Sequence, residues 1–241
     1  MDRLLEFSGK SSDLSQDFYP PIELNTQSNY VLGLYSLSTY NSLGNIRGDD
    51  ENNIIFHMQH EESHEISTMN VDVPTIVNVP AGNYEIEELG NFIKTEAAKF
   101  LVDFQLVVHK STMKVEMSCN ATVVLPLSIG KILGFQQNVY TPGSHTSERT
   151  PQITSINVIN VECNIITGSY RNGKRSLSIY NFYPDIPMGY KLIERPTNLL
   201  FLPVHVREIS NITLRLTNQE GSLVDFNEEE VTIHLILREL T

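Results

Sequence analysis

Alternating apolar and polar residues recur along the chain and predict β-strands over most of its length. Tyr30–Leu43, Thr75–Val79 and Val231–Arg238 alternate most clearly. Period two places every second side chain on the same face, so each run predicts a strand with one buried face. Further strands are predicted at Asn53–Met58, Phe104–His109, Met113–Cys119, Ala121–Pro126, Ser155–Gly168, Arg175–Phe182, Leu199–Ile209 and Asn211–Leu216.

Two segments follow a helical pattern instead. From Glu85 to about Leu101, apolar residues such as Leu89 and Ile93 recur at helical spacing, and acidic residues precede them at the N-terminal end. Ser128–Phe135 predicts a single helical turn that ends at Gly134.

The arrangement of these elements predicts an all-β fold, a single jelly-roll β-sandwich with one inserted α-helix and long loops. Eight to ten strands without a fixed repeat favour a sandwich, and the jelly roll is the common eight-stranded form. Residues 1–18 are mixed polar and predict an N-terminal arm that is ordered against a partner, while residues 19–241 predict the jelly-roll domain. The core of one sandwich is expected to contain Val77, Val79, Ile93, Phe104, Val107, Ile165, Ile179, Phe201 and Leu235.

Composition and charge limit the possible partners and cellular compartments of the chain. Of 241 residues 40% are hydrophobic, so a real core can form, and the net charge of −12 disfavours DNA and anionic membranes as partners. No apolar run is long enough for a signal peptide or a membrane span, which predicts a soluble chain outside the usual secretory route. The two cysteines, Cys119 and Cys163, lie in alternating apolar sequence and predict buried free thiols in a reducing compartment.

One stretch matches a catalytic motif. His60-Glu61-Glu62-Ser63-His64 satisfies H-E-x-x-H, in which two imidazoles one helical turn apart bind zinc and the glutamate acts as general base. The apolar neighbours that would bury such a helix are replaced by Glu62, Ser63 and Glu65, which favours a solvated loop. A zinc metalloprotease, a surface metal site that includes His57, and a pH-sensitive loop remain alternatives. We expect no enzyme, no metal and no cofactor.

A second short motif lies in the acidic loop that follows the first long strand. Arg47-Gly48-Asp49 is the R-G-D tripeptide, which integrin receptors bind when it lies on an exposed loop. These three residues are therefore candidates for receptor binding, and the alternative is an ordinary acidic turn. A ligand-binding or receptor-binding β-sandwich module is the wider alternative function. Such modules usually present Trp or Tyr platforms, but the chain has no Trp and its ten tyrosines do not cluster in sequence.

Three stretches together resemble the penton (minor capsid) proteins of the Polinton or Maverick, adintovirus and virophage group. They are Val79–Ile86 (VPAGNYEI) before the helix, Ser128–Phe135 (SIGKILGF), and the C-terminal half with Val161–Ile166, Pro187–Tyr190 and Phe201–Val204. The resemblance extends over residues 19–238 and depends on the order of the motifs.

This resemblance implies a non-enzymatic structural protein that forms the pentameric vertex of an icosahedral capsid. It implies a virion location, with a second copy of the chain and a double-jelly-roll major capsid protein as partners. A host receptor is a further candidate partner, and neither nucleic acid nor membrane is expected. Phe135 and Tyr190 lie in apolar-rich loops and are candidate subunit-interface anchors. The alternative is that both rings fill the ends of the sandwich.

Overall fold

Strands far outnumber helices in the computed structural model, which describes residues 2–48, 51–58 and 74–240. The strands are β1 (Asp2–Gly9), β2 (Asp13–Glu23), β3 (Asn29–Tyr40), β4 (Asn53–His57), β5 (Thr75–Asn78), β6 (Phe104–His109), β7 (Lys114–Cys119), β8 (Thr122–Val124), β9 (Val139–Tyr140), β10 (Gly143–Thr146), β11 (Ile159–Cys163), β12 (Ser169–Arg171), β13 (Lys174–Ser176), β14 (Ser178–Phe182), β15 (Lys191–Glu194), β16 (Leu202–Pro203), β17 (Glu208–Thr217) and β18 (Val231–Leu240). The helices are α1 (Ile86–Ala98) and α2 (Leu127–Leu133).

The chain folds as two units, one of which is inserted in the other. Met1–Leu43 and Ile156–Thr241 form the first, and Gly44–Ser155 form the second, which we call the inserted unit. The prediction of one domain over residues 19–241 is therefore corrected. Each unit has its own hydrophobic core, because the apolar faces of Gly44–Ser155 pack on one another.

The first unit is a jelly roll. Its sheet A has the order β1-β18-β3-β15, with β16 paired to β3, and its sheet B has the order β14-β11-β17-β2. Successive strands of this unit alternate between the two sheets with two exceptions: β11 and β14 are neighbours in sheet B, and β15 and β16 both pair with β3 in sheet A. This order is that of two interlocked Greek keys, so the predicted all-β jelly-roll class is confirmed. One core, which includes Leu34 and Leu37 of sheet A and Val161 and Leu214 of sheet B, joins the two sheets.

The N-terminal residues belong to the sandwich. β1 pairs with β18 from Asp2 opposite Arg238 to Gly9 opposite Val231, and β2 pairs with β17. Phe7 is 2% exposed in the core. The predicted arm over residues 1–18 is thus corrected, because β18 and β17 supply hydrogen-bond partners that the local sequence cannot reveal.

The inserted unit contains two more sheets and both helices. Its sheets have the orders β5-β4-β8-β9 and β10-β7-β6. The predicted loop over Tyr140–Pro151 contains strand residues of β9 and β10 instead. The helix predicted from Glu85 to about Leu101 corresponds to α1, where the Glu88 carboxylate accepts a hydrogen bond from the Glu85 backbone N–H at 3.4 Å.

The short helix α2 ends as its sequence predicts. Gly134 follows it with a φ of 84°, and its backbone N–H points back to the Gly130 carbonyl. The N–H of Phe135 donates to the same carbonyl at 2.8 Å. A Cβ on Gly134 would lie 2.2 Å from the Arg149 carbonyl oxygen, so the position requires glycine both for its backbone conformation and for space.

The predicted core separates into two. Val77, Val79, Ile93 and Phe104 are buried in the inserted unit, whereas Ile165, Ile179 and Leu235 are buried in the jelly roll. Val107 is 39% exposed, because alternation along β6 places it on the outward face with Gln105 and His109. Phe201 is only partly buried and lies outside the core. Both cysteines are buried free thiols, as predicted.

Candidate assembly surface

The loop between β14 and β15 is held to the end of β3 by Asn41. The Asn41 side-chain amide donates to the Ile186 carbonyl at 2.6 Å. Its backbone N–H donates to the Tyr190 carbonyl at 2.9 Å, and the Gly189 N–H donates to the Asn41 carbonyl at 2.7 Å. Three bonds from one buried residue therefore fix the position of the loop, and with it the side chains that the loop presents.

Large side chains of this region face solvent. Tyr183 is 70% exposed and Tyr190 66% exposed, at the two ends of the loop, and Met188 is also exposed. Tyr40 and Ile193 are exposed on the adjoining strands β3 and β15. We call these five residues the tyrosine patch. Exposed aromatic side chains are enriched at protein interfaces, so the patch is the strongest candidate contact surface of the loops.

The backbone register places part of the patch on sheet A. Tyr40 lies opposite Lys191, and Ser38 lies opposite Ile193. Tyr40 and Ile193 are therefore diagonal neighbours on the outer face of the same two strands. The patch extends from the loop onto the broad face of the sheet.

A hydrogen bond braces the two strands that carry the loop. The Tyr180 hydroxyl on β14 donates to the Glu194 carboxylate on β15 at 2.9 Å. Burial raises the pKa of Tyr180 above its ordinary value, and the carboxylate of Glu194 raises it further. The phenol therefore stays protonated and keeps donating at neutral pH.

Of the two predicted interface residues, Tyr190 is exposed and Phe135 is buried. Phe135 is 3% exposed and packs edge-on against Tyr140 in the inserted unit, with ring centroids 5.1 Å apart. The structure thus buries Phe135 in the core of the inserted unit, and not at the end of the sandwich, which was the alternative considered from the sequence. The ring has no free surface with which to anchor a second subunit.

Sequence reasoning missed Asn41, Tyr40 and Tyr183. The local signal for Tyr40 and Asn41 was their position at the end of an alternating run. Tyr190, which Asn41 contacts, lies far along the chain, so no local pattern indicated this contact. Tyrosines that are far apart in sequence thus approach one another in the fold, since Tyr40 on β3 pairs with Lys191, the residue that follows Tyr190.

The structure describes two of the three residues that are candidates for receptor binding. Arg47 and Gly48 are exposed, and the Arg47 carbonyl accepts a hydrogen bond from the Asn52 side chain at 2.7 Å. Asp49 lies outside the described residues, as do His60, Glu61 and His64 of the H-E-x-x-H motif.

Titratable clusters are small. The described ranges bring together no three His, Cys, Asp or Glu side chains that could hold a metal ion. One such small cluster surrounds Glu116, whose pKa is lowered by a hydrogen bond from Ser144 and then by one with His109 at 2.7 Å. Within residues 2–48, 51–58 and 74–240, neither helix is long and apolar enough to cross a membrane.

The whole chain is similar in fold to a solved penton protein. The crystal structure of the mavirus penton protein aligns with a TM-score of 0.51, and the alignment covers 100% of both chains at 11% sequence identity. At this identity the likeness shows the fold. No protein-family model matches the sequence, and no curated protein matches it.

Proposed function

We propose that this chain is a structural subunit of a viral capsid, and that five copies form its vertex. The observation that carries the proposal is the likeness to the mavirus penton protein over the full length of both chains. The alignment covers the residues of the inserted unit as well as those of the jelly roll, so the likeness involves more than a sandwich common to many functions.

A ring of five copies needs two different surfaces on each subunit, one for each neighbour. The tyrosine patch is suited to be part of one of these surfaces, because aromatic side chains held by a rigid loop lose little entropy on binding. Tyr190 is the proposed anchor of the patch. The fixed position that Asn41 imposes on the loop suits a contact that is repeated five times.

The proposed partners are further copies of the chain and a double-jelly-roll major capsid protein, in a virion. The role requires no catalytic group, metal or cofactor. A net charge of −12 fits a protein that contacts other proteins and not the genome, because it repels phosphate at long range.

Assembly with the shell protein tests the proposal. The purified full-length chain is mixed with a double-jelly-roll major capsid protein, and vertex occupancy is measured by electron microscopy. Incorporation of five copies at each vertex is expected. If the wild-type chain never enters shells, and also forms no pentamer alone at high concentration, the proposed function is wrong.

Tyr190→Ala tests the anchor. We expect at least a tenfold loss of incorporation, the effect of removing about 1.4 kcal/mol or more of binding free energy. Tyr170→Ala is the matched control, because Tyr170 is 67% exposed, like Tyr190, but lies on the separate hairpin of β12 and β13. Equal incorporation of both variants would remove Tyr190 from the interface.

Receptor binding is a second candidate, favoured by the exposure of Arg47 and Gly48. Cell adhesion to the immobilised chain, with Arg47→Ala as the variant and an R-G-D peptide as competitor, tests it. Adhesion that neither change reduces would exclude the tripeptide.

A further inference from the structure

The outer face of sheet A has an apolar centre. Leu4 on β1 lies opposite Ile236 on β18, which in turn lies opposite Gly33 on β3. The chain at Leu200 and Phe201 crosses Gly33 so closely that a Cβ there would lie 3.0 Å from both residues. Leu4 is 61% exposed and Leu200 57%, so this centre is uncovered in the single chain.

One ion pair and one histidine–carboxylate contact border the apolar centre. On one side Arg238 donates to the Asp2 carboxylate at 2.7 Å and stacks over the Phe201 ring, 4.3 Å from its centroid. On the other side His234 lies 3.6 Å from the Glu6 carboxylate. An apolar centre within a polar rim is the usual anatomy of a protein interface. The face also continues into Tyr40 and Ile193 of the tyrosine patch.

The outer face of sheet B is different. It carries a ladder of small polar side chains in which Asn211 donates to Asp17 at 2.8 Å and to Ser15 at 2.9 Å. Thr213 lies 3.2 Å from Ser15, and its backbone N–H donates to Asn164 at 2.9 Å. The jelly roll therefore presents two unlike broad faces, which is what a head-to-tail contact requires.

Charge distinguishes the two faces further. The outward strand residues of sheet A that carry charge at neutral pH are Asp2, Glu6, Lys191 and Arg238. The corresponding residues of sheet B are Asp13, Asp17, Glu23, Glu162, Glu208 and Arg215. Sheet A is thus balanced and sheet B is strongly acidic. Two acidic faces repel each other, whereas the balanced face with its arginine and lysine can pack against an acidic one.

We propose that the outer face of sheet A is a subunit contact whose occupant is the outer face of sheet B of a second copy of this chain. The inference rests on the proposed ring and names the two sides that the ring would use. Leu4 and Leu200 form the apolar centre of the contact, and Arg238 and Lys191 face the carboxylates of the neighbouring copy.

Placing a charge in the apolar centre tests the contact. Leu4→Glu and Leu200→Glu are expected to weaken association at least tenfold, measured by analytical ultracentrifugation and by vertex occupancy. Leu127→Glu is the matched control, since Leu127 is 74% exposed and lies on α2 of the inserted unit. Because all three leucines are exposed, urea unfolding of the variants should match that of the wild-type chain.

Cross-linking distinguishes the head-to-tail arrangement from others. Ser38→Cys marks the outer face of sheet A, and Ser15→Cys marks that of sheet B, while both native cysteines are buried. A short bifunctional maleimide should link the two variants when they are mixed, and neither variant to itself. Linking of Ser38→Cys copies to one another, without mixed products, would overturn the proposal.

The outcomes separate this inference from the proposed function. If wild-type chains form rings or vertices, and both glutamate variants do so equally without mixed cross-links, the contact assigned here is wrong and the capsid role stands. If wild-type chains form neither, the proposed function fails and the inference fails with it.

Discussion

Asn41 is expected to control the loop that carries Tyr190, and Asn41→Ala tests this directly. The substitution removes the 2.6 Å hydrogen bond to the Ile186 carbonyl and the 3.3 Å bond accepted from the Leu43 N–H. The backbone bonds of Asn41 to Tyr190 and Gly189 can still form. The loop should therefore remain in place but open more often.

The expected loss in the free energy of unfolding depends on the burial of the two groups that lose their partner, the Ile186 carbonyl and the Leu43 N–H. A buried polar group left unpaired costs about 1–3 kcal/mol, and since the Ile186 bond is only partly buried we expect about 1–2 kcal/mol. That loss corresponds to a roughly 5- to 30-fold increase in loop opening. Urea unfolding measures the free energy, and hydrogen exchange of the amides in residues 183–190 measures the opening.

Two further variants isolate the cause. Asn41→Asp keeps an acceptor for the Leu43 N–H but loses the donor to Ile186, so it should retain most of the defect. Asn181→Ala, an exposed asparagine on β14, should change the free energy of unfolding by no more than about 0.5 kcal/mol. If Asn41→Ala is as mild as Asn181→Ala and loop exchange is unchanged, Asn41 does not hold the loop.

Three other outcomes are expected. Gly134→Ala should cost about 2–5 kcal/mol, for a strained backbone plus a clash, whereas Gly173→Ala, which has a φ of 77° and open space, should cost only about 1–2 kcal/mol; equal costs in urea would refute the steric reasoning. Burial raises the pKa of Cys163 to about 11, so a thiol reagent at pH 8 should modify it only after unfolding, and rapid modification of the folded chain would contradict its burial. The pKa of Glu116 is lowered, chiefly by Ser144, so its contribution to stability is present above the ordinary glutamate pKa and is lost as pH falls through the lowered value. Glu116→Gln should flatten the acid limb of the stability profile, and an unchanged limb would refute this.

Local patterns in the sequence predicted the elements that depend on neighbouring residues. The helix around Leu89 and Ile93 and the glycine end of α2 were found because helical period and a C-cap extend over only a few residues. The β-class followed from alternation, as in β18, whose residues alternate strictly between buried and half-buried positions over Val231–Arg238. Such patterns show which face of a strand is inward.

Alternation does not show which other strand a given strand pairs with. The tertiary structure decided every feature that depends on this pairing. Asp2 pairs with Arg238 across nearly the whole chain, so a segment predicted as an arm became an edge strand of the sandwich. The division into two cores, the burial of Phe135 and the approach of Tyr40 to the loop of Tyr190 have the same origin. Each depends on contacts between residues distant in sequence, whose free energy is gained only after the chain has closed, and no local pattern records it.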